Sequence, residues 1–178
     1  MVTMTGRRMS LEEFLALPDE KPNLELIDGE VCQKPMGTER HSRAQFNVLR
    51  LLLLHRKTRD GQPRPELTFP FSGTGRANAR VPDVAFVMPG RAPIHDPYPT
   101  EMPDLVAEVR SEGQAVSAVE QRLAFLREHG VPCTLLVDPE LEIVTIHDGQ
   151  RTWTARRGEH VTLESLNGFD FDANELLD

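Results

Sequence analysis

Apolar runs of strand length alternate along this chain with two longer segments of helical period. Leu24-Glu25-Leu26-Ile27 and Glu30-Val31-Cys32 flank Asp28-Gly29, a dipeptide that supplies the positive φ angles of a type I′ turn, and so predict a tight hairpin. Ahead of it, Ser10 followed by Glu13 is a capping-box pattern that opens a short helix through Phe14 and Leu17, ended by Pro18. From about Glu39 to Lys57 the period is helical, with Ala44, Val48, Leu51, Leu52 and His55 in one stripe. Phe46, Leu49 and Leu53 spread the apolar surface beyond that stripe, as expected of a helix packed on two sides or at a subunit interface. A loop rich in Gly and Pro follows. Glu66–Phe71, Arg80–Met88 and Asp104–Ser111 then read as three strands, the last preceded by the Pro-rich loop Gly90–Pro103. Gln114–His129 predicts an amphipathic helix that turns Val116, Val119, Leu123 and Leu126 inward and stops at Gly130. Thr134–Val137 is a short buried strand, and Leu141–Ile146 with Thr152–Arg156 predicts a second hairpin across Asp148-Gly149.

The order helix, three strands, helix, strand implies an α/β fold with a mixed sheet flanked by helices. The crossover from Asp104 to Val137 favours a parallel pair, and the short spacings before it favour antiparallel neighbours. No repeat or linker interrupts the 178 residues, so the expectation is one domain spanning 1–178, with its core at about 39–138.

Composition narrows the function classes. The chain is 39% hydrophobic and 27% charged, an ordinary globular balance. Cys32 and Cys133 are too few for a disulfide framework and sit among apolar residues, which predicts buried, reduced thiols and a cytoplasmic location. The longest apolar run, Leu51–Leu54, is bounded by charge, so no membrane span is expected. Residues Met1–Arg8 are basic, but no apolar stretch of signal-peptide length follows them. A formal net charge of −8 argues against coating a polyanion, yet Arg40, Arg43, Arg50, Arg56, Lys57, Arg59, Arg64, Arg76 and Arg80 crowd the first half, leaving room for a local basic surface or a solvated helix face.

Candidate chemistry lies on two of the strands. In Val81-Pro82-Asp83-Val84, the proline places Asp83 near a sheet rim. In Asp104–Ser111, alternation puts Leu105, Ala107 and Val109 on one face, and Val106, Glu108 and Arg110 on the other. Glu108 is thus flanked by apolar residues, a costly place for a carboxylate without a partner. Two solutions are open: a hard divalent cation held by Asp83, Glu108, a backbone carbonyl and water, or an ion pair of Glu108 with Arg110 or Arg122.

Taken together, Met9–Pro18, Glu25-Leu-Ile-Asp-Gly-Glu30, His41 before a leucine-rich helix, Val81–Val87, Asp104–Ser111, Gly130-Val-Pro132 and Leu136-Val-Asp-Pro139 make the chain similar to the Uma-type family. That family of restriction-endonuclease-like proteins belongs to the PD-(D/E)XK superfamily. These stretches are collinear from residue 9 to the segment Gly168–Leu177. The resemblance implies a restriction-endonuclease-like αβββαβ core, with an N-terminal and a C-terminal hairpin added. It implies Mg²⁺ or Mn²⁺ on Asp83, Glu108 and the Val109 carbonyl, and a nucleic-acid substrate, DNA above all; Glu25 matches an acidic position of the family, either reaching the same site or facing solvent on its hairpin. His41 matches a recurrent histidine of the family, in the site or in a structural hydrogen bond.

Two departures stand beside the matches. The superfamily motif places a lysine by the metal, two residues after the second acid or on the following helix, and this chain has Arg110 and Arg122 at those places. Leu126 and Leu24 replace residues that are commonly aromatic in the family. Arginine stabilises charge on a phosphate but cannot act as a general base, so water activation would fall to the metal or to Glu25. Gln121, spaced before Phe125 as in an accessory motif of RecB-like nucleases, points away from the apolar stripe and reads as surface. The expected function is a metal-dependent endonuclease with Asp83, Glu108, Glu25 and Arg122 or Arg110 as site residues. The alternative is a weakened nuclease-fold binding or scaffold module in which Glu108 is ion-paired. Specificity would come from the loops Gly73–Ala79 or Gly90–Pro103, and the 39–57 helix offers a homodimer contact.

Overall fold

Six strands pair into the sheet that carries the middle of the chain, described by a computed structural model over residues 3–18, 20–72 and 75–178. The chain opens with β1 (Thr3–Arg8) and α1 (Leu11–Leu15). The Ser10 hydroxyl accepts from the Glu13 amide while the Glu13 carboxylate accepts from the Ser10 amide, so the capping box forms as its sequence predicts. Strands β2 (Leu24–Ile27) and β3 (Glu30–Gln33) make the first hairpin, with Asp28 at φ 52° and Gly29 at φ 83° as a type I′ turn requires.

Helix α2 (Glu39–Leu54) buries Ala44, Val48, Leu51 and Leu52 against the large sheet and ends at His55, whose backbone is extended, short of the predicted Lys57. Phe46, Leu53 and Leu54 are exposed on its opposite side. After it come β4 (Gln62–Pro65), β5 (Phe69–Phe71), β6 (Asn78–Arg80), β7 (Val84–Val87), β8 (Leu105–Val109), α3 (Val116–Glu128), β9 (Cys133–Asp138), β10 (Ile143–Asp148) and β11 (Arg151–Arg156). The large sheet runs β11-β10-β9-β8-β7-β4, parallel at β8–β9 and antiparallel elsewhere. A smaller sheet runs β1-β3-β2-β6-β5. Within the large sheet, α2, β4, β7, β8, α3 and β9 form the αβββαβ core.

Three strand expectations are corrected. The first core strand is Gln62–Pro65, where the sequence suggested a loop, because its prolines are tolerated at the sheet edge, where among the described residues β4 pairs with β7 alone. The predicted Glu66–Phe71 strand shrinks to Phe69–Phe71 and joins the smaller sheet. The predicted Arg80–Met88 strand is broken at Val81-Pro82-Asp83, so Arg80 ends β6 in one sheet and Val84 begins β7 in the other. The second hairpin turns at Gly149-Gln150, one residue later than expected, because Asp148 pairs with Arg151 and the positive φ (58°) falls on Gly149. Val116 is exposed, since it sits at the first position of α3 before the helix settles on the sheet.

The C-terminal segment adds β12 (His160–Leu163), β13 (Phe169–Asp172) and α4 (Asn174–Leu177), which cover one face of the large sheet together with α2. On the other face α3 is clamped between Ala85, Val106 and Leu136 of the sheet and Phe69 and Phe71 of β5. The alternation expected of β8 holds, with Leu105, Ala107 and Val109 in the α2-side core and Val106 in the α3-side core. Cys32 and Cys133 are buried and unbridged. No helix among the described residues is long and apolar enough to cross a membrane.

Candidate active site

Glu25, Asp83 and Glu108 are 0%, 3% and 3% exposed, so three carboxylates are removed from water in one region and each needs a partner. The fold brings them there from separate elements. In β2, Leu24 and Leu26 face the N-terminal cluster, which leaves Glu25 on the opposite face, toward α3. Asp83 leads into β7 just past Pro82, and Glu108 stands on the α3 side of β8. Asp83, Glu108 and Val109 line one cleft of about 280 Å³ with Lys34, His41 and Arg122.

Each acid is held by named donors. Asp83 Oδ1 accepts from Lys34 Nζ at 2.8 Å, and Oδ2 accepts from the Val109 amide at 2.8 Å. His41 Nε2 stands 3.6 Å from Oδ2, and its Nδ1 is 3.2 Å from the Ser111 hydroxyl, so the family histidine touches the site and is anchored behind it. Gln45 donates to the Asp83 carbonyl at 2.8 Å. Arg122 places one terminal nitrogen between Glu25 Oε1 (2.9 Å) and Glu108 Oε1 (3.0 Å). Glu25 Oε1 also accepts from the Val81 amide, whereas its buried Oε2 has no partner.

The electrostatics follow from this geometry. Burial opposes ionisation of Asp83, but the Lys34 ammonium and the His41 hydrogen bond outweigh it and hold the carboxyl well below its usual range. Burial dominates at Glu108, only partly opposed by Arg122, with the charge of Asp83 adding to the rise, and its pKa is pushed up to about 7. Burial also works against charge on Lys34 and His41, yet the acids around them raise both above their ordinary values.

Lys34 is the residue that sequence reasoning missed. It follows β3 on the face of Cys32, which pairs across the hairpin with Glu25, so strand parity pointed it at the site. Its Nζ also donates to the Val81 carbonyl at 2.6 Å, and the side chain is nearly buried. Arg110 is not brought to the cleft. The chain leaves β8 at Val109, and Arg110 turns to Asp138 (Nε 2.5 Å, Nη2 3.0 Å) and Glu140 (2.6 Å), fastening β8 to the end of β9. An ion pair of Glu108 with Arg110 is thereby replaced by the one with Arg122.

Part of the cationic cluster of the first half is neutralised or buried. Arg43 pairs with Glu39, Arg59 with Asp60, Arg76 with Asp28 and Lys57 with Asp170, while Arg80 is buried. Of the loops expected to read bases, Gly73 and Thr74 lie outside the described residues, and Asn78 and Ala79 belong to β6.

Carboxylates and a strand carbonyl are hard oxygen donors of the kind Mg²⁺ and Mn²⁺ take. Asp83, Glu108 and Val109 supply that chemistry at one cleft, whereas Glu25, fully buried behind Arg122, does not line it. The same acids are engaged by Lys34 and Arg122, and among the described residues no three His, Cys, Asp or Glu side chains form a ready-made cage. The donor set therefore fits a divalent cation provided that Lys34 yields Oδ1 of Asp83.

The family profile Uma2, described as "Putative restriction endonuclease", matches residues 11–174, and the chain belongs to that family. Among solved structures, one described as a putative nuclease belonging to DUF820 from Anabaena variabilis ATCC 29413 is similar over 95% of this chain and 97% of that one. The two share 24% identity, with a TM-score of 0.78, a likeness of fold. No curated protein sequence matches the chain significantly.

Proposed function

We propose that this member of the Uma2 family hydrolyses phosphodiester bonds of nucleic acid, DNA above all, in the cleft between β7, β8 and α3. The observation that carries the reading is the convergence of Asp83, Glu108, Lys34 and Arg122 on one solvent-reached cleft. Asp83, Glu108 and the Val109 carbonyl would hold Mg²⁺ or Mn²⁺. When bound, the ion supplies Lewis-acid activation of the phosphate and of water. Lys34, an ammonium by its surroundings, presents positive charge to a phosphate oxygen and does not take up a proton. Arg122 stabilises charge on the phosphate with the nitrogens that Glu25 and Glu108 leave free, and cannot serve as a base. Glu25 holds Arg122 in place through its Oε1.

One observation favours a second reading, that of a nuclease-fold binding module. Every acid of the site already has a cationic partner, with Lys34 on Asp83 and Arg122 on both Glu25 and Glu108. Arg122 gives Glu108 a single bond rather than a parallel pair, so the Glu108 carboxylate is shared and not sealed.

Plasmid and single-stranded DNA cleavage with Mg²⁺ and Mn²⁺, alongside metal titration, decides between them. The expected result is metal-dependent cutting that falls roughly a hundredfold or more in Asp83→Ala and in Glu108→Ala. Cutting that survives both substitutions, or absence of metal binding, would exclude the enzymatic reading. We read the chain as one folding unit acting in the cytoplasm, and as a homodimer through α2.

A further inference from the structure

A second cavity, of about 390 Å³, opens on the far side of Arg122, between the ends of the paired strands β2 and β6 and the start of α3. Its wall includes Arg80, Gly113, Gln114, Ala115, Gln121 and Arg122, and among the described residues no acidic side chain lines it. Two guanidinium groups therefore meet a pocket with no acidic wall, in a chain whose overall formal charge is −8.

Arg80 is the telling residue. It is 7% exposed, its Nη1 donates to the Leu26 carbonyl at 3.0 Å, and its plane is fixed by stacking 4.4 Å from the Phe125 ring. Its Nε is buried with no hydrogen-bond partner, and no carboxylate among the described residues lies within ion-pair distance of it. Arg122 spends one terminal nitrogen on Glu25 and Glu108, and its Nε is buried without a partner among the described residues. A buried guanidinium left without an anion is costly, and burial lowers the Arg80 pKa, Glu25 opposing and Arg122 adding to the fall. The third wall is the start of α3, 13 residues long, where Ala115 gives no side-chain cap and no acid stands in the first turn. The helix dipole favours negative charge at that point.

We propose that this pocket binds a phosphoryl group, held by the Arg80 and Arg122 guanidinium groups. Because Gln114 and Arg122 line both this pocket and the cleft of the acids, the group has two sources. It is either the terminal phosphate of a nucleic-acid strand reaching Arg122, which rests on the hydrolytic reading above, or free phosphate, which does not.

The test titrates inorganic phosphate into the full chain in chelator, read by calorimetry and by thermal shift, so that its outcome is independent of metal. Saturable binding is expected, weakened roughly tenfold or more in Arg80→Met. Ala118→Glu, at an exposed helix position on the rim, is the variant that spares the fold. It brings a carboxylate to both arginines and is expected to abolish phosphate binding while leaving the protein folded. Asp83→Ala is expected to keep phosphate binding even where it abolishes cleavage. Oligonucleotides carrying a 5′-phosphate or a 5′-hydroxyl separate the sources. A preference for the 5′-phosphate that Ala118→Glu removes assigns the pocket to a strand terminus, and saturable binding of inorganic phosphate without that preference assigns it to free phosphate. Failure of phosphate to bind the wild type, or binding unchanged in both Arg80→Met and Ala118→Glu, overturns the proposal.

Discussion

Lys34 and Asp83 form a nearly buried ion pair at 2.8 Å, and removing one partner of such a pair leaves the other charge stranded. Lys34→Met is therefore expected to cost the metal-free protein about 3 kcal/mol. Mn²⁺ should recover more stability in this variant than in the wild type, because no ammonium then competes for Oδ1; thermal melts with and without Mn²⁺ measure this. Glu108 acts in the opposite sense. Its folded pKa, about 7, lies above the ordinary 4.5, so its contribution is complete below the unfolded value and is lost as pH rises through 7. Glu108→Gln should remove that loss, so its stability relative to the wild type improves by about 3 kcal/mol between roughly pH 4 and pH 8. Denaturant titrations in chelator at the two pH values check it, and parallel curves would contradict it.

Among the elements, β8 carries both the site and its own fastening. Arg110 clamps Asp138 and Glu140 at the sheet end, while Glu108, two residues earlier, faces the cleft. Arg110→Met is expected to lower stability by about 3 kcal/mol without changing Mn²⁺ affinity, the reverse of what its place in the sequence suggests. Calorimetric metal titration beside a melt separates the two effects. The edge strand β4 is held by close approach as well as by pairing. A Cβ on Gly61 would meet the Phe86 ring at 2.5 Å and the Val87 carbonyl at 2.7 Å. Gly61→Ala should accordingly destabilise by about 1–3 kcal/mol through displacement of β4, seen as a lowered denaturation midpoint.

For the whole molecule, α2 presents two unlike sides. One is buried in the sheet core, and the other exposes Phe46 (62%), Leu53 (50%) and Leu54 (73%). A homodimer through this side, as the α2 pattern suggests, predicts that Phe46→Glu with Leu53→Glu converts the protein to a monomer with unchanged helix content. Sedimentation analysis with circular dichroism tests this, and a wild type already monomeric at working concentration would remove the dimer from consideration.

Local and periodic signals were legible in the chain itself: the Ser10–Glu13 capping box, the Asp28-Gly29 turn, the period of α2 and α3, and the two faces of β8. Each depends on neighbours within a few residues, where backbone geometry and side-chain parity act directly. Collinear motifs added the family and the pairing of Asp83 with Glu108. Only the tertiary structure decided that β4 rather than Glu66–Phe71 completes the core, and that Arg80 and Val84 end up in different sheets. It alone turned Arg110 away, set Arg122 between Glu25 and Glu108, and delivered Lys34 to Asp83 from 49 residues away in sequence. The reason is physical. A buried charge takes its partner from whatever element packing brings within about 3 Å, and spacing along the chain carries no record of that distance.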